Sequence, residues 1–215
     1  MAQKITLHVD DREIEAEEGT ILLQVCLDND IYIPNLCYLK ERKKAAASCR
    51  LCFVEIGGEN KPVTSCTTRV REGMTVRTDT PEIRALQKTA FELLMSTHNV
   101  DCKNCPANKR CELQKIAKFL HTGLKPKRIE KLEREIPVEE HPFLQYFPDK
   151  CVLCGRCIDI CERVQGRPYL TFARRGFNMF VSFYGEESPD DLPCGSCYQC
   201  VEICPVAALR KRDMN

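Results

Sequence analysis

The sequence predicts an α+β protein built as small segments in series. Three observations carry this: alternating apolar residues with turn signals at the start, helical periodicity in the middle, and a repeated cysteine run at the end. In the first segment, residues 1–78, Ile5, Leu7 and Val9 alternate with polar residues, Asp10-Asp11 supplies a turn, and Ile14 and Ala16 continue the alternation. That is a β-hairpin pattern. Thr20 is placed to cap a short helix whose Leu22, Val25 and Cys26 share one face. Short strands are expected at Phe53–Ile56, Val63–Thr67 and Met74–Arg77, with Gly57-Gly58 turning the chain between the first two.

Residues 79–122 read as helical. Thr80 before Pro81 is a start signal, with proline at the first helical position, and Ile83, Leu86, Ala90 and Leu94 recur at helical spacing up to His98. A second stretch carries Leu113, Ile116, Ala117 and Leu120, and Gly123 is expected to stop it. Residues 123–138 form a charged linker. Its Glu130/Arg134 and Lys131/Glu135 pairs predict some solvated helix in what is otherwise a spacer. The last segment, residues 139–215, holds an internal repeat, each copy followed by a stretch able to form a short helix, and its basic end Arg210-Lys211-Arg212 reads as a solvated tail.

Bulk composition narrows the function. A chain of 215 residues has room for two or three small domains but not a large catalytic one. With 43% hydrophobic and 29% charged residues, it is an ordinary folded composition, and a formal net charge of +1 gives no electrostatic footprint for nucleic acid. The start, MAQKITLHVDD, lacks the apolar core of a signal peptide, and no run reaches the length of a membrane span. The expected setting is the reducing cytoplasm, where the clustered ones among 16 cysteines are metal ligands rather than disulfides.

The cysteines fall into four sets. Cys151, Cys154, Cys157 and Cys161 repeat the spacing of Cys194, Cys197, Cys200 and Cys204. Three cysteines at two-residue gaps can wrap three corners of a cuboidal cluster, while the fourth rides onto the adjoining helix toward the other cluster. Structural zinc prefers ligand pairs from two separate loops, so two [4Fe–4S] clusters are favoured. The sets then cross: Cys151, Cys154, Cys157 and Cys204 against Cys194, Cys197, Cys200 and Cys161. Pro205 follows the second run as the bacterial pattern expects, whereas Glu162 follows the first.

Ahead of these lie His98, Cys102, Cys105 and Cys111. A lone histidine at a helix end is more often a surface or capping residue. Three cysteines lacking a fourth make His98 the candidate to complete a third [4Fe–4S] site. Cys37, Cys49, Cys52 and Cys66 carry a stretched first gap relative to the plant-type [2Fe–2S] run. Spacing alone fits a four-cysteine zinc site as well; three neighbouring redox clusters tip the balance to [2Fe–2S]. Only Cys26 is left over, on the apolar face of its helix, as a small buried hydrophobe.

This order of motifs resembles the cluster-bearing N-terminal region shared by the large iron–sulfur subunit of respiratory complex I, iron-only hydrogenases, and NAD-linked hydrogenases and formate dehydrogenases. The likeness extends to His141-Pro142-Phe143 before Lys150-Cys151 and to the Gly155-Arg156-Cys157 step. In most such proteins a large catalytic domain follows, whereas here the sequence ends eleven residues after Cys204. The chain is therefore similar to the small iron–sulfur subunit of the diaphorase module of soluble NAD-linked or electron-bifurcating nickel–iron hydrogenases. The resemblance implies a β-grasp [2Fe–2S] ferredoxin domain, a small helical His/Cys cluster domain and a two-cluster bacterial-ferredoxin domain. It also implies a non-catalytic electron relay between a flavin- and NAD-binding partner and a hydrogenase partner. No G-x-G-x-x-G follows a strand, so no nucleotide site is expected on this chain. Rival readings are the same relay with a formate dehydrogenase or other reductase, a free-standing polyferredoxin, and a zinc-binding interaction module.

Overall fold

The computed structural model describes residues 3–42, 44–137, 139–184 and 192–212. The first two and last three residues of the expected segments, and the linker's last residue, 138, lie outside them. The chain divides into two compact units, residues 1–92 with 116–122, and residues 93–115 with 123–215.

The first unit is built on a five-stranded sheet ordered β2-β1-β5-β3-β4. β1 (Lys4–Val9) and β2 (Arg12–Glu17) form the expected hairpin, pairing Val9 with Arg12 across Asp10-Asp11. Asp10 takes the left-handed backbone conformation that aspartate tolerates. Its carboxylate also accepts from the Thr78 amide at 2.8 Å, tying this turn to the end of β5. β5 (Thr75–Arg77) runs parallel to β1, β3 (Phe53–Ile56) runs antiparallel to β5, and β4 (Val63–Thr64) closes the edge. After β4 the chain enters a 3-10 turn at Ser65–Thr67, which shortens the strand expected there.

Helix α1 (Leu22–Asp28) lays Leu22, Leu23, Val25 and Cys26 into a core with Ile5, Leu7, Val54 and Val76. Cys26 is fully buried and its thiol is pushed up to about 12, chiefly by burial, as befits a small core residue. Thr20 does not cap this helix. Ile21 takes the N-cap position in extended conformation, because it bridges to Arg69 while the Thr20 carbonyl accepts from Val70.

Helix α2 (Pro81–Met95) begins as expected, with the Thr80 hydroxyl accepting from the Ile83 amide at 3.2 Å. Its buried side includes Gln87, whose amide donates to the Phe53 carbonyl. Helix α3 (Glu112–Phe119) ends without help from Gly123. His121 takes the left-handed conformation, the Thr122 amide reaches the Ala117 carbonyl and the His121 amide reaches Lys118, which is a Schellman stop.

In the second unit β6 (Leu144–Tyr146) pairs antiparallel with β9 (Leu209–Lys211), and β7 (Leu170–Ala173) with β8 (Phe180–Phe183). Helices α4 (Arg156–Gln165), α5 (Cys194–Cys197) and α6 (Gln199–Glu202) carry the cysteine runs. Two expectations are corrected here. Residues 124–137 hold no helix; the Leu132 amide donates to Ser96 and the Arg134 guanidinium to the Pro148 carbonyl at 2.6 Å, contacts that outweigh weak i,i+4 pairs. The basic end is not a tail: Leu209–Lys211 is a paired strand, Arg210 lies over Phe147 and Arg212 donates to the Phe143 and His141 carbonyls.

Candidate metal centres

In the first unit Cys37, Cys49, Cys52 and Cys66 are all buried. Cys49 and Cys52 lead into β3, and Cys66 sits in the 3-10 turn after β4. The Ser65 amide and hydroxyl both donate to the Cys52 carbonyl at 2.9 Å, clamping those two segments together. Ala47 and Arg50 adopt left-handed conformations that fold the approach to Cys49 and Cys52 tightly. The sulfurs form two hydrogen-bonded pairs. Cys37 and Cys49 lie 3.5 Å apart, and Cys52 bonds Cys66. Sharing a proton with Cys49 draws the Cys37 thiol down to about 5, and the bond from Cys52 lowers Cys66. Thiolates on one tetrahedral metal at about 2.3 Å are about 3.8 Å apart, so the first pair is close to the edge of one such tetrahedron.

In the second unit His98 follows α2. Its backbone neighbour Asn99 donates to the Asp149 carbonyl at 2.7 Å. His98 Nδ1 lies 2.9 Å from the Lys150 carbonyl, which can only accept, so Nδ1 carries the proton and Nε2 keeps a lone pair. Burial pushes the imidazolium down to about 4 and keeps the ring neutral. Metal-binding histidines regularly show this arrangement, one nitrogen donating to a carbonyl and the other free to ligate. Cys102, Cys105 and Cys111 lie on a loop and interact electrostatically, with Cys111 raised mainly by burial. Gln114 pins that loop, accepting from the Lys109 amide and donating to Asn108.

The two ferredoxin-like runs line two small cavities. One is ringed by Cys151, Cys154, Cys157 and Cys204. The other is ringed by Cys161, Cys194, Cys197 and Cys200. Each cavity thus draws three cysteines from one run and one from the other. Among the described residues no three His, Cys, Asp or Glu side chains converge as around one bound ion; these eight thiols ring space instead. Burial raises Cys154 and Cys200 to about 12, so the free thiols are protonated and a metal must displace those protons. Backbone amides of Leu153, Tyr169 and Ala208 donate to the sulfurs of Cys151, Cys161 and Cys204 at 3.2–3.4 Å.

Two lining residues escape a search for ligands. Tyr146 hydrogen-bonds the Cys151 sulfur in the first cavity, and His141 lines the second. The only sequence signal was the His141-Pro142-Phe143 stretch, which reads as connecting chain.

Comparison with known proteins fits these sites. Residues 2–81 match the 2Fe-2S iron-sulfur cluster binding domain, and residues 87–123 match the NADH-ubiquinone oxidoreductase-G iron-sulfur binding region. The NADP-reducing hydrogenase subunit HndD of Solidesulfovibrio fructosivorans is 33% identical over 97% of this chain and 36% of its own length. An NADH-quinone oxidoreductase subunit of Rickettsia prowazekii is 34% identical over 97% of this chain and 30% of its own. The chain is an iron–sulfur protein related to these hydrogenase and complex I subunits. It spans about a third of the length of those curated relatives. Among solved structures, a chain of an NAD+-reducing [NiFe]-hydrogenase in its H2-reduced state superposes with a TM-score of 0.82 at 26% identity. That match covers 97% of this iron–sulfur chain and 88% of the hydrogenase chain. Among the described residues no helix is long and apolar enough to cross a membrane.

Proposed function

We propose that this iron–sulfur chain is a cytoplasmic electron relay, carrying single electrons between a flavin- and NAD-binding partner subunit and a hydrogenase partner. The observation that carries the reading is the pair of cavities, each ringed by four cysteines exchanged between the two runs. A cluster bound there accepts and releases one electron at a potential set by ligand type, burial and hydrogen bonds to sulfur. The assignment is one [2Fe–2S] and three [4Fe–4S] clusters. Cys37, Cys49, Cys52 and Cys66 hold the first, their two-and-two pairing favouring two metals over a single zinc. His98, Cys102, Cys105 and Cys111 hold the second, and the crossed sets hold the other two.

The sheet with its inserted parallel β5 supports naming residues 1–78 a β-grasp ferredoxin domain. Residues 79–122 are then the His/Cys cluster domain and 139–215 the two-cluster domain, joined by 123–138. The chain's own residues hold and tune. His98 is fixed in its tautomer by the Lys150 carbonyl. Amide N–H groups stabilise negative charge on the ligating sulfurs, and buried walls keep water from them. Hydride chemistry belongs to the partners.

The test is a pair of assays on the purified, flavin-free chain. It should take electrons from a strong low-potential reductant yet turn over neither NAD, hydrogen nor formate. Nicotinamide reduction by the chain alone would assign it chemistry of its own and overturn the relay.

A further inference from the structure

The cavity ringed by Cys161, Cys194, Cys197 and Cys200 is also lined by a histidine outside the proposed ligand sets, His141. His141 is buried, and its ring is held on several sides. Nδ1 accepts from the Phe143 and Leu144 amides, both at 3.2 Å. The ring lies 4.5 Å from the Phe183 ring, and the His141 carbonyl accepts from Arg212 at 2.9 Å. The following Phe143 packs so closely on the second cysteine run that a Cβ added at Gly195 would meet its ring at 3.0 Å. His141 and the run that it faces are therefore one packed body.

That geometry settles the tautomer. A nitrogen accepting from two backbone amides has no proton, so a neutral His141 carries its proton on Nε2. Among the described residues no protein group accepts from Nε2. The imidazole therefore carries one N–H, on Nε2, and no free lone pair, beside a cavity lined by apolar side chains, four thiols, two tyrosines and the amides of Gln165 and Gln199. A donor fixed in this way is the opposite of His98, whose protonated nitrogen is spent on a carbonyl and whose lone pair is left free.

We propose that His141 is a positioning and tuning residue for the cluster held by Cys161, Cys194, Cys197 and Cys200, donating Nε2–H to a cluster sulfur. The inference rests on the cluster assignment above. An N–H donor stabilises negative charge on sulfur, and the reduced cluster carries one more negative charge than the oxidised one. His141 therefore raises the reduction potential of this cluster and leaves the other three alone.

The experiment uses the reconstituted full chain. Redox titrations followed by electron paramagnetic resonance compare wild type, His141→Phe and His141→Gln, the signal being assigned by its loss in Cys200→Ser. Expected are a downward midpoint shift of that one signal in His141→Phe at unchanged iron content, and recovery of part of the shift in His141→Gln, which keeps an N–H donor. Unchanged midpoints with full iron would overturn the role of His141 while leaving the clusters in place. Absence of any four-iron signal in wild type would instead refute the cluster assignment. Where His141→Phe fails to assemble, wild type grown with 15N-histidine decides: the assigned signal should show a weak 15N hyperfine coupling, and its absence would overturn the proposal.

Discussion

The two ferredoxin-like runs have identical cysteine spacing and unlike surroundings. The first run feeds one ten-residue helix, α4, entered through Gly155 in the left-handed conformation. The second is split into two four-residue helices, α5 and α6, and the equivalent hinge is Tyr198, also left-handed. A tyrosine is seldom tolerated there; Lys211 lies over its ring at 4.1 Å and helps hold it. The cavity of Cys151, Cys154, Cys157 and Cys204 receives a hydroxyl from Tyr146, and the other cavity receives the ring of His141, both from the same stretch of chain. Equal spacing therefore fixes which sulfurs meet but not what surrounds them. Surroundings are what set a potential.

Exchange between the runs gives the largest effects. Cys161→Ser should remove the cluster bound by Cys194, Cys197 and Cys200, and Cys204→Ser the one bound by Cys151, Cys154 and Cys157. Each costs about four irons per chain, read by metal analysis and by which resonance signal disappears. If each serine instead abolishes the cluster of its own run, the crossing is wrong. The hinges come next. Gly155→Ala forces a Cβ into the left-handed region at a cost of about 1 kcal/mol, lowering the melting temperature by roughly 2–4 °C. Tyr198→Gly should come out near neutral, relief of backbone strain offsetting the lost ring contact and added chain entropy. Equal responses at both hinges in a thermal melt would erase the distinction. Tyr146→Phe is the mildest: loss of one hydroxyl donor should lower the potential of the Cys151-containing cluster by tens of millivolts, on the order of one hydrogen bond. A shift in the other cluster would mean that the two surroundings are not separable.

How much of this was legible in sequence follows from the range of the forces. The hairpin at Ile5–Ala16, the strand at Phe53–Ile56 and the Thr80-Pro81 start are local patterns, and all appear where expected. The burial of Cys26 is another. What failed depends on partners distant in sequence. Thr20 loses its cap because Val70 and Arg69 hold its neighbourhood in a strand-like pairing. Residues 124–137 are drawn out of helix by contacts from Leu132 to Ser96 and from Arg134 to Pro148. Arg210-Lys211-Arg212 looks like a tail because its strand partner, Leu144–Tyr146, lies more than sixty residues away. His141 and Tyr146 were missed for the same reason: only folding places them beside cysteines of the two runs.

Iron and acid-labile sulfide, measured together on the anaerobically purified or reconstituted chain, bear most directly on whether these sixteen residues hold four clusters. The account predicts about 14 irons and as many sulfides per chain, from one two-iron and three four-iron sites. About four metal ions per chain, read as zinc and without labile sulfide, would contradict it.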